Sequence, residues 1–151
     1  MNPSAQDTFD VLALRADFDG LPAGDDREPA DTWSAALVGS LEVWVTFTPA
    51  QHPKERLFAR LVWDRYPDHA PSVLFRDPET GRLDVPRAWP TGGPFRPMQG
   101  LCVNYTREGF GLHPEWVSDP RLRWRTDGNA LLKVIRLMQD SFDTEYAGRY
   151  G

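Results

Sequence analysis

Two runs of alternating apolar residues fix most of what this chain can become. In Leu41-Glu42-Val43-Trp44-Val45-Thr46-Phe47, the residues Leu41, Val43, Val45 and Phe47 fall on one side of a period-2 strand. Leu57, Ala59, Leu61 and Trp63 do the same in the next run, and a polar turn from Pro49 to Lys54 separates the two. A strand-like run over Trp33–Val38 precedes them across the Gly39-Ser40 break. Val73-Leu74-Phe75 follows the turn Tyr66-Pro67-Asp68-His69-Ala70-Pro71. Sequential strands with short connections predict a four-stranded antiparallel meander. Trp33, Trp44 and Trp63 are expected to fill its core.

The other regular element is near the end. Leu131, Ile135, Met138 and Phe142 recur at i, i+4, i+7 and i+11, an apolar stripe that predicts a helix docked on the sheet, with Asp127 as its cap and Gly148 as its stop. Residues 1–30 form an N-terminal segment and loop. Asp7 or Thr8 can cap a short helix carrying Leu14 and Phe18 on one face, and a strand reading stands beside it. Residues 77–127 are crowded with proline, glycine and aromatic residues and have no period, so they read as an irregular flap and active-site region. Strands first and a helix last predict an α+β fold over residues 1–151, in one domain.

Charge and composition exclude several functions. A net charge of -5 argues against a phosphate-binding surface, so no nucleic-acid partner is expected. No apolar run approaches the ~20 residues of a membrane span, so no membrane partner is expected either. The start of the chain lacks a basic-then-apolar leader pattern, and a single cysteine fits a reducing cytoplasm. The dispersed His52, His69 and His113 show no metal-ligand spacing, and Thr91-Gly92-Gly93-Pro94 lacks the lysine and helix of a phosphate cradle. Neither a metal nor a cofactor is expected.

That leaves Cys102, the one thiol, in Pro97-Met98-Gln99-Gly100-Leu101-Cys102-Val103-Asn104-Tyr105. A buried free cysteine is ordinarily a small hydrophobe. The residues around it change that reading. Tyr66-Pro67-Asp68-His69-Ala70-Pro71-Ser72-Val73-Leu74-Phe75, followed by a long flap and Gly100-Leu101-Cys102, resembles the ubiquitin-conjugating (E2) family. There, a meander runs into Tyr-Pro-x-x-Pro-Pro-x-Val-x-Phe and then a Gly-x-(Ile/Leu)-Cys acceptor motif. Trp33 to Gly39 is similar to that family's Trp-x-Ala-x-x-x-Gly strand, and Leu131 to Phe142 looks like its helix after the active site. Ala70 departs from the pattern by replacing the first of the paired prolines.

The resemblance covers residues 33 to 142 and implies a UBC-like fold in its compact, prokaryotic form. It implies an enzyme that accepts a ubiquitin-like protein as a thioester on Cys102 from an E1-like activating enzyme and passes it to an amine of a protein target. Bacterial relatives of this kind sit beside such partners, several in antiphage defence. The family's His-Pro-Asn, whose amide steadies the oxyanion, is replaced here by Gly92-Gly93-Pro94. Asn104 and His113 are the candidate donors in its stead. Two other readings stand beside this one: a Cys102–His113 hydrolase pair oriented by Asp119 or Asn104, and a non-catalytic E2-variant or RWD-like binding module, which the missing amide favours.

Overall fold

The computed structural model describes residues 5–22 and 32–151. Four strands, β1 (Trp33–Leu37), β2 (Glu42–Phe47), β3 (Leu57–Val62) and β4 (Ser72–Phe75), pair antiparallel in the order β1-β2-β3-β4. The register sets Val45 opposite Ala59, Phe47 opposite Leu57 and Leu61 opposite Val73. Alternation therefore gathers Val43, Val45, Phe47, Leu57, Ala59, Leu61, Val73 and Phe75 on one buried face. The expected meander is present.

Helix α3 (Ala130–Glu145) covers that face. Leu131, Ile135, Met138 and Phe142 are all buried, as the spacing predicts. The Phe142 ring stacks on Phe47 with centroids 5.1 Å apart and meets Phe75 at 6.0 Å. Burying side chains of this size stabilises the fold by about 1.5–3 kcal/mol each. The cap is Asn129 rather than Asp127: its side-chain oxygen accepts from the Leu132 N–H at 2.9 Å.

The N-terminal segment is a helix, not a strand: α1 runs Ala5–Asp19. Asp7 and Thr8 lie inside it and so do not cap it. Leu14 is buried, and Phe18 packs against the core from the same face. Asp10 is the unexpected member, a carboxylate only 2% exposed. It accepts from Gln6 (2.7 Å), Arg65 (3.1 Å) and the Tyr66 N–H (3.2 Å). Burial opposes its ionisation, but these bonds outweigh that and hold its pKa below the ordinary carboxylate value. The Tyr66 hydroxyl donates to Asp17 and accepts from the Leu131 N–H, joining the end of α1 to the start of α3. Most of the loop expected over Gly20–Pro29 lies outside the described residues.

Two tryptophans depart from expectation. Trp44 follows Val43 and so faces away from the helix, where the Arg76 guanidinium lies 3.9 Å over its ring. Trp89, placed by sequence in the flap, is core and meets Phe75 edge-on at 5.5 Å. Among the described residues no helix is long and apolar enough to cross a membrane. The architecture is α+β, a four-stranded antiparallel sheet with an N-terminal and a C-terminal helix.

Candidate functional site

The stretch without period contains local structure built on backbone contacts. Phe95–Arg96 (β5) pairs with Gly100–Leu101 (β6) across the turn Arg96-Pro97-Met98-Gln99, closed by the Gln99 N–H to the Arg96 carbonyl at 2.9 Å. Proline at the second position is usual for such a turn, and the third needs positive φ. Here it is Met98, at φ +67°, exposed at the tip. A non-glycine residue in that region costs about 1 kcal/mol.

Cys102 follows β6 directly. Its N–H donates to the Pro94 carbonyl at 2.9 Å, and its thiol is free and half-buried. The chain then turns through Val103-Asn104-Tyr105 into the short helix α2 (Arg107–Leu112). Sequence reading left this helix as irregular loop, because six residues with two glycines carry no usable periodicity.

Helix α2 fixes the cysteine segment from three sides. Thr106 caps it, accepting from the Gly109 N–H at 3.0 Å while donating to the Leu101 carbonyl at 2.8 Å. Gly109 lies so close to the segment that an added Cβ would stand 1.8 Å from the Val103 carbonyl oxygen. Glu108 spans to the sheet: its carboxylate accepts from Ser72 Oγ at 2.6 Å and the Val73 N–H at 2.8 Å. The Glu108 stem fills the space where Gly100 would carry a side chain, since a Cβ there would meet its Cγ at 2.7 Å. The Arg107 N–H completes the clamp on the Pro71 carbonyl at 2.7 Å. Leu101, Cys102 and Val103 are thus tied to β4 through one helical turn. Thr106, Glu108 and Gly109 were missed by sequence reading; the signal available was Thr106 as an N-cap residue.

The candidate donors fall at opposite ends of α2. Asn104 lies in the turn that leaves Cys102, half-buried. His113 closes the far end, about 9 Å along the axis for six residues. Its ring stacks on Trp116 at 4.2 Å and Nδ1 pairs with Glu115 at 3.1 Å. Asp119 is turned to the Arg121 N–H, so the orienting carboxylate of His113 is Glu115. Among the described residues no hydrogen bond joins the Cys102 sulfur to Asn104 or His113. A Cys–His hydrolase pair is not assembled.

The glycines that replace His-Pro-Asn also have a structural reason. A Cβ on Gly92, at φ +98°, would stand 2.1 Å from the Glu145 carbonyl oxygen, and one on Gly93 would meet the Glu145 side chain at 2.6 Å. The residues after α3 run back along the flap. Thr91 N–H bonds the Gly148 carbonyl at 2.9 Å, Ala147 N–H the Thr91 carbonyl at 2.8 Å and Tyr150 N–H the Trp89 carbonyl at 2.9 Å. No side chain fits at Gly92. Pro94, which bonds Cys102, follows this seat immediately.

Chemically the arrangement is a free thiol on a partly buried residue whose backbone is fixed at three successive residues, with no base bonded to the sulfur among the described residues. That suits attack on an acyl group that is already activated better than unaided attack on an amide. Comparison with known proteins gives no family model, no characterised relative and no solved structure that matches this chain.

Proposed function

We propose that the chain is an E2-like conjugating enzyme of the compact, prokaryotic kind, with a UBC-like fold, acting in the cytoplasm. The observation that supports this is the seat of Cys102: the lone thiol stands at the end of a hairpin, clamped by α2 onto the last strand of a meander flanked by N- and C-terminal helices. Meander, flap, thiol and closing helix follow one another in the order that the sequence resemblance implies.

In the first step the Cys102 thiolate attacks the thioester carbonyl of a ubiquitin-like protein held on an E1-like enzyme, and the activator's cysteine leaves as thiolate. In the second, the amine of a protein target attacks the Cys102 thioester, loses a proton, and Cys102 leaves. The substrate arrives energised, so a strongly activated cysteine is not required. The collapsing tetrahedral intermediate needs a hydrogen-bond donor. Asn104, in the same turn as the thiol, is the donor this reading favours over His113.

The deciding experiment incubates the protein with its genomically neighbouring E1-like activator, ATP and the ubiquitin-like protein, followed by non-reducing electrophoresis. A thiol-sensitive adduct that disappears in Cys102→Ala is expected. No adduct with a demonstrably active E1 sinks the reading. Asn104→Ala should leave charging intact and slow discharge to amines about 10²-fold.

The second reading, a non-catalytic E2-variant or RWD-like module, draws on one observation: Gly92 and Gly93 are packed against Glu145, so the usual amide has no room. Partner binding that survives Cys102→Ala, with no adduct formed, would favour it.

A further inference from the structure

Aspartate followed by glycine occurs twice in the chain, as Asp19-Gly20 and as Asp127-Gly128. Such a pair is chemically distinct because glycine has no Cβ to keep its amide nitrogen away from the aspartate side chain. The nitrogen can reach the carboxyl carbon and close a five-membered imide. Closure needs an N–H open to water and a backbone free to bring the two atoms together. Both pairs are exposed, so exposure does not separate them.

Hydrogen bonding does. Asp19 is the last residue of α1, and the Gly20 N–H donates to the Ala16 carbonyl at 3.1 Å, which holds that pair in a helical arrangement. Asp127-Gly128 precedes α3 without such a tie. The cap of α3 is Asn129, so Asp127 is left with no capping bond to make. Among the described residues neither the Asp127 carboxylate nor the Gly128 N–H makes a hydrogen bond. The Lys133 ammonium feels the Asp127 charge but donates to the Arg125 carbonyl, at 3.1 Å. Gly128, at φ +67°, has no heavy atom beyond its chain neighbours within 4 Å of where a side chain would stand. One pair is closed and the other is open.

We propose that Asp127-Gly128 is a site of spontaneous isomerisation to isoaspartate, which loosens the joint between α3 and α1. The Gly128 nitrogen attacks Cγ of the protonated Asp127 carboxyl. An N–Cγ bond forms, a Cγ–O bond breaks, and the amide proton leaves with the carboxyl OH as water. Water then adds back at either imide carbonyl. Breaking the N–Cγ bond restores aspartate. Breaking the bond from nitrogen to the main-chain carbonyl carbon routes the chain through Cγ, one methylene longer, and leaves a new free α-carboxylate. Water is the only co-reactant, and none is consumed overall. The altered link lies two residues before Asn129, whose Oδ1 accepts from the Leu132 N–H at 2.9 Å and whose Nδ2 donates to the Asp17 carbonyl at 2.8 Å. The inference does not depend on chemistry at Cys102.

The test incubates the whole folded protein at neutral pH in water enriched in oxygen-18, then digests it with trypsin in ordinary water. Each imide opening leaves one solvent oxygen in the peptide. The label should enter Thr126–Lys133 about tenfold faster than 16–27, because the Gly20 hydrogen bond must open first. In urea the two peptides should label at similar rates, and this sample sets the length of the incubation. Asp127→Glu should abolish the label in Thr126–Lys133. Equal labelling of both peptides in the folded protein overturns the proposal, as does a Thr126–Lys133 peptide that labels only in urea. The loosening is read by hydrogen exchange on the same aged sample, with the aspartate and isoaspartate forms of peptic peptides spanning 126–133 separated by chromatography. The isoaspartate form should take up deuterium faster. Equal uptake by the two forms would overturn the claim on the joint.

Discussion

Around Phe142 the chain is held by side chains: rings of Phe47, Phe75 and Phe95 close on it at centroid distances of 5.1, 6.0 and 4.7 Å. Around Gly109 it is held by backbone, with a helix turn resting on the Val103 carbonyl and no room for a methyl group. Both positions are buried. The first kind of packing is broken by removing atoms and the second by adding them. The thiol is seated by the second kind, so its position is set by carbonyls, amide hydrogens and one carboxylate rather than by the size of the core.

Five substitutions, one of them paired with a titration, press on that difference in falling order of effect. Phe142→Ala should destabilise the fold by about 3–5 kcal/mol in denaturant unfolding. Gly109→Ala comes next. An alanine in a helix interior normally stabilises by about 1 kcal/mol, but here it should cost about 3 kcal/mol through overlap with Val103. The same variant should speed the reaction of Cys102 with a neutral disulfide reagent, which Phe142→Ala at equal folded fraction should not. A stable Gly109→Ala protein with unchanged thiol reactivity would mean that α2 does not hold the segment.

Glu108→Gln keeps the stem under Gly100 and weakens the bonds to Ser72 and Val73, so a loss of about 1–2 kcal/mol is expected. Asp10 makes the matching test on the sheet side. Its folded pKa is depressed, so its contribution is complete above its unfolded value, near 3.8, and is lost as the pH falls through the folded one. Stability should therefore drop below about pH 4 by about 1 kcal/mol from this group, and Asp10→Asn should flatten that limb. The smallest effect is Cys102→Ala, within about 0.5 kcal/mol, because the residue is only partly buried and its thiol is free. A large loss there would return the cysteine to a packing role.

The same difference explains what could be read from sequence. The sheet face and the α3 stripe were legible because side-chain packing writes a period into the chain, 2 in the strands and 3.6 in the helix. That period also places Trp44 opposite Val43, and expecting it in the core overlooked this. Asp10 was missed because an acidic residue in a helix reads as solvated, and its partner Arg65 is 55 residues away. The seat of Cys102 was illegible for a deeper reason. Its glycines mark close backbone approach, but glycine is silent about what approaches it. Gly92 answers to Glu145 and Gly109 to Val103, and neither relation has a spacing rule. Cys102 and Asn104 were placed together by adjacency alone, and His113 was set apart by a helix too short to be predicted.

The strap of residues 147–150 along the flap has a temporal consequence. Thr91 and Gly148 are 57 residues apart, and their pairing closes the loop that contains Cys102. Contacts of such long separation form late, because the chain between them must first give up its freedom. During synthesis the four strands can pair while the rest is still being made. The ground beside the thiol cannot close until Gly148 has left the ribosome. A nascent chain would thus carry a finished sheet and an unfinished thiol seat, which delays presentation of the cysteine until residues 147–150 have emerged.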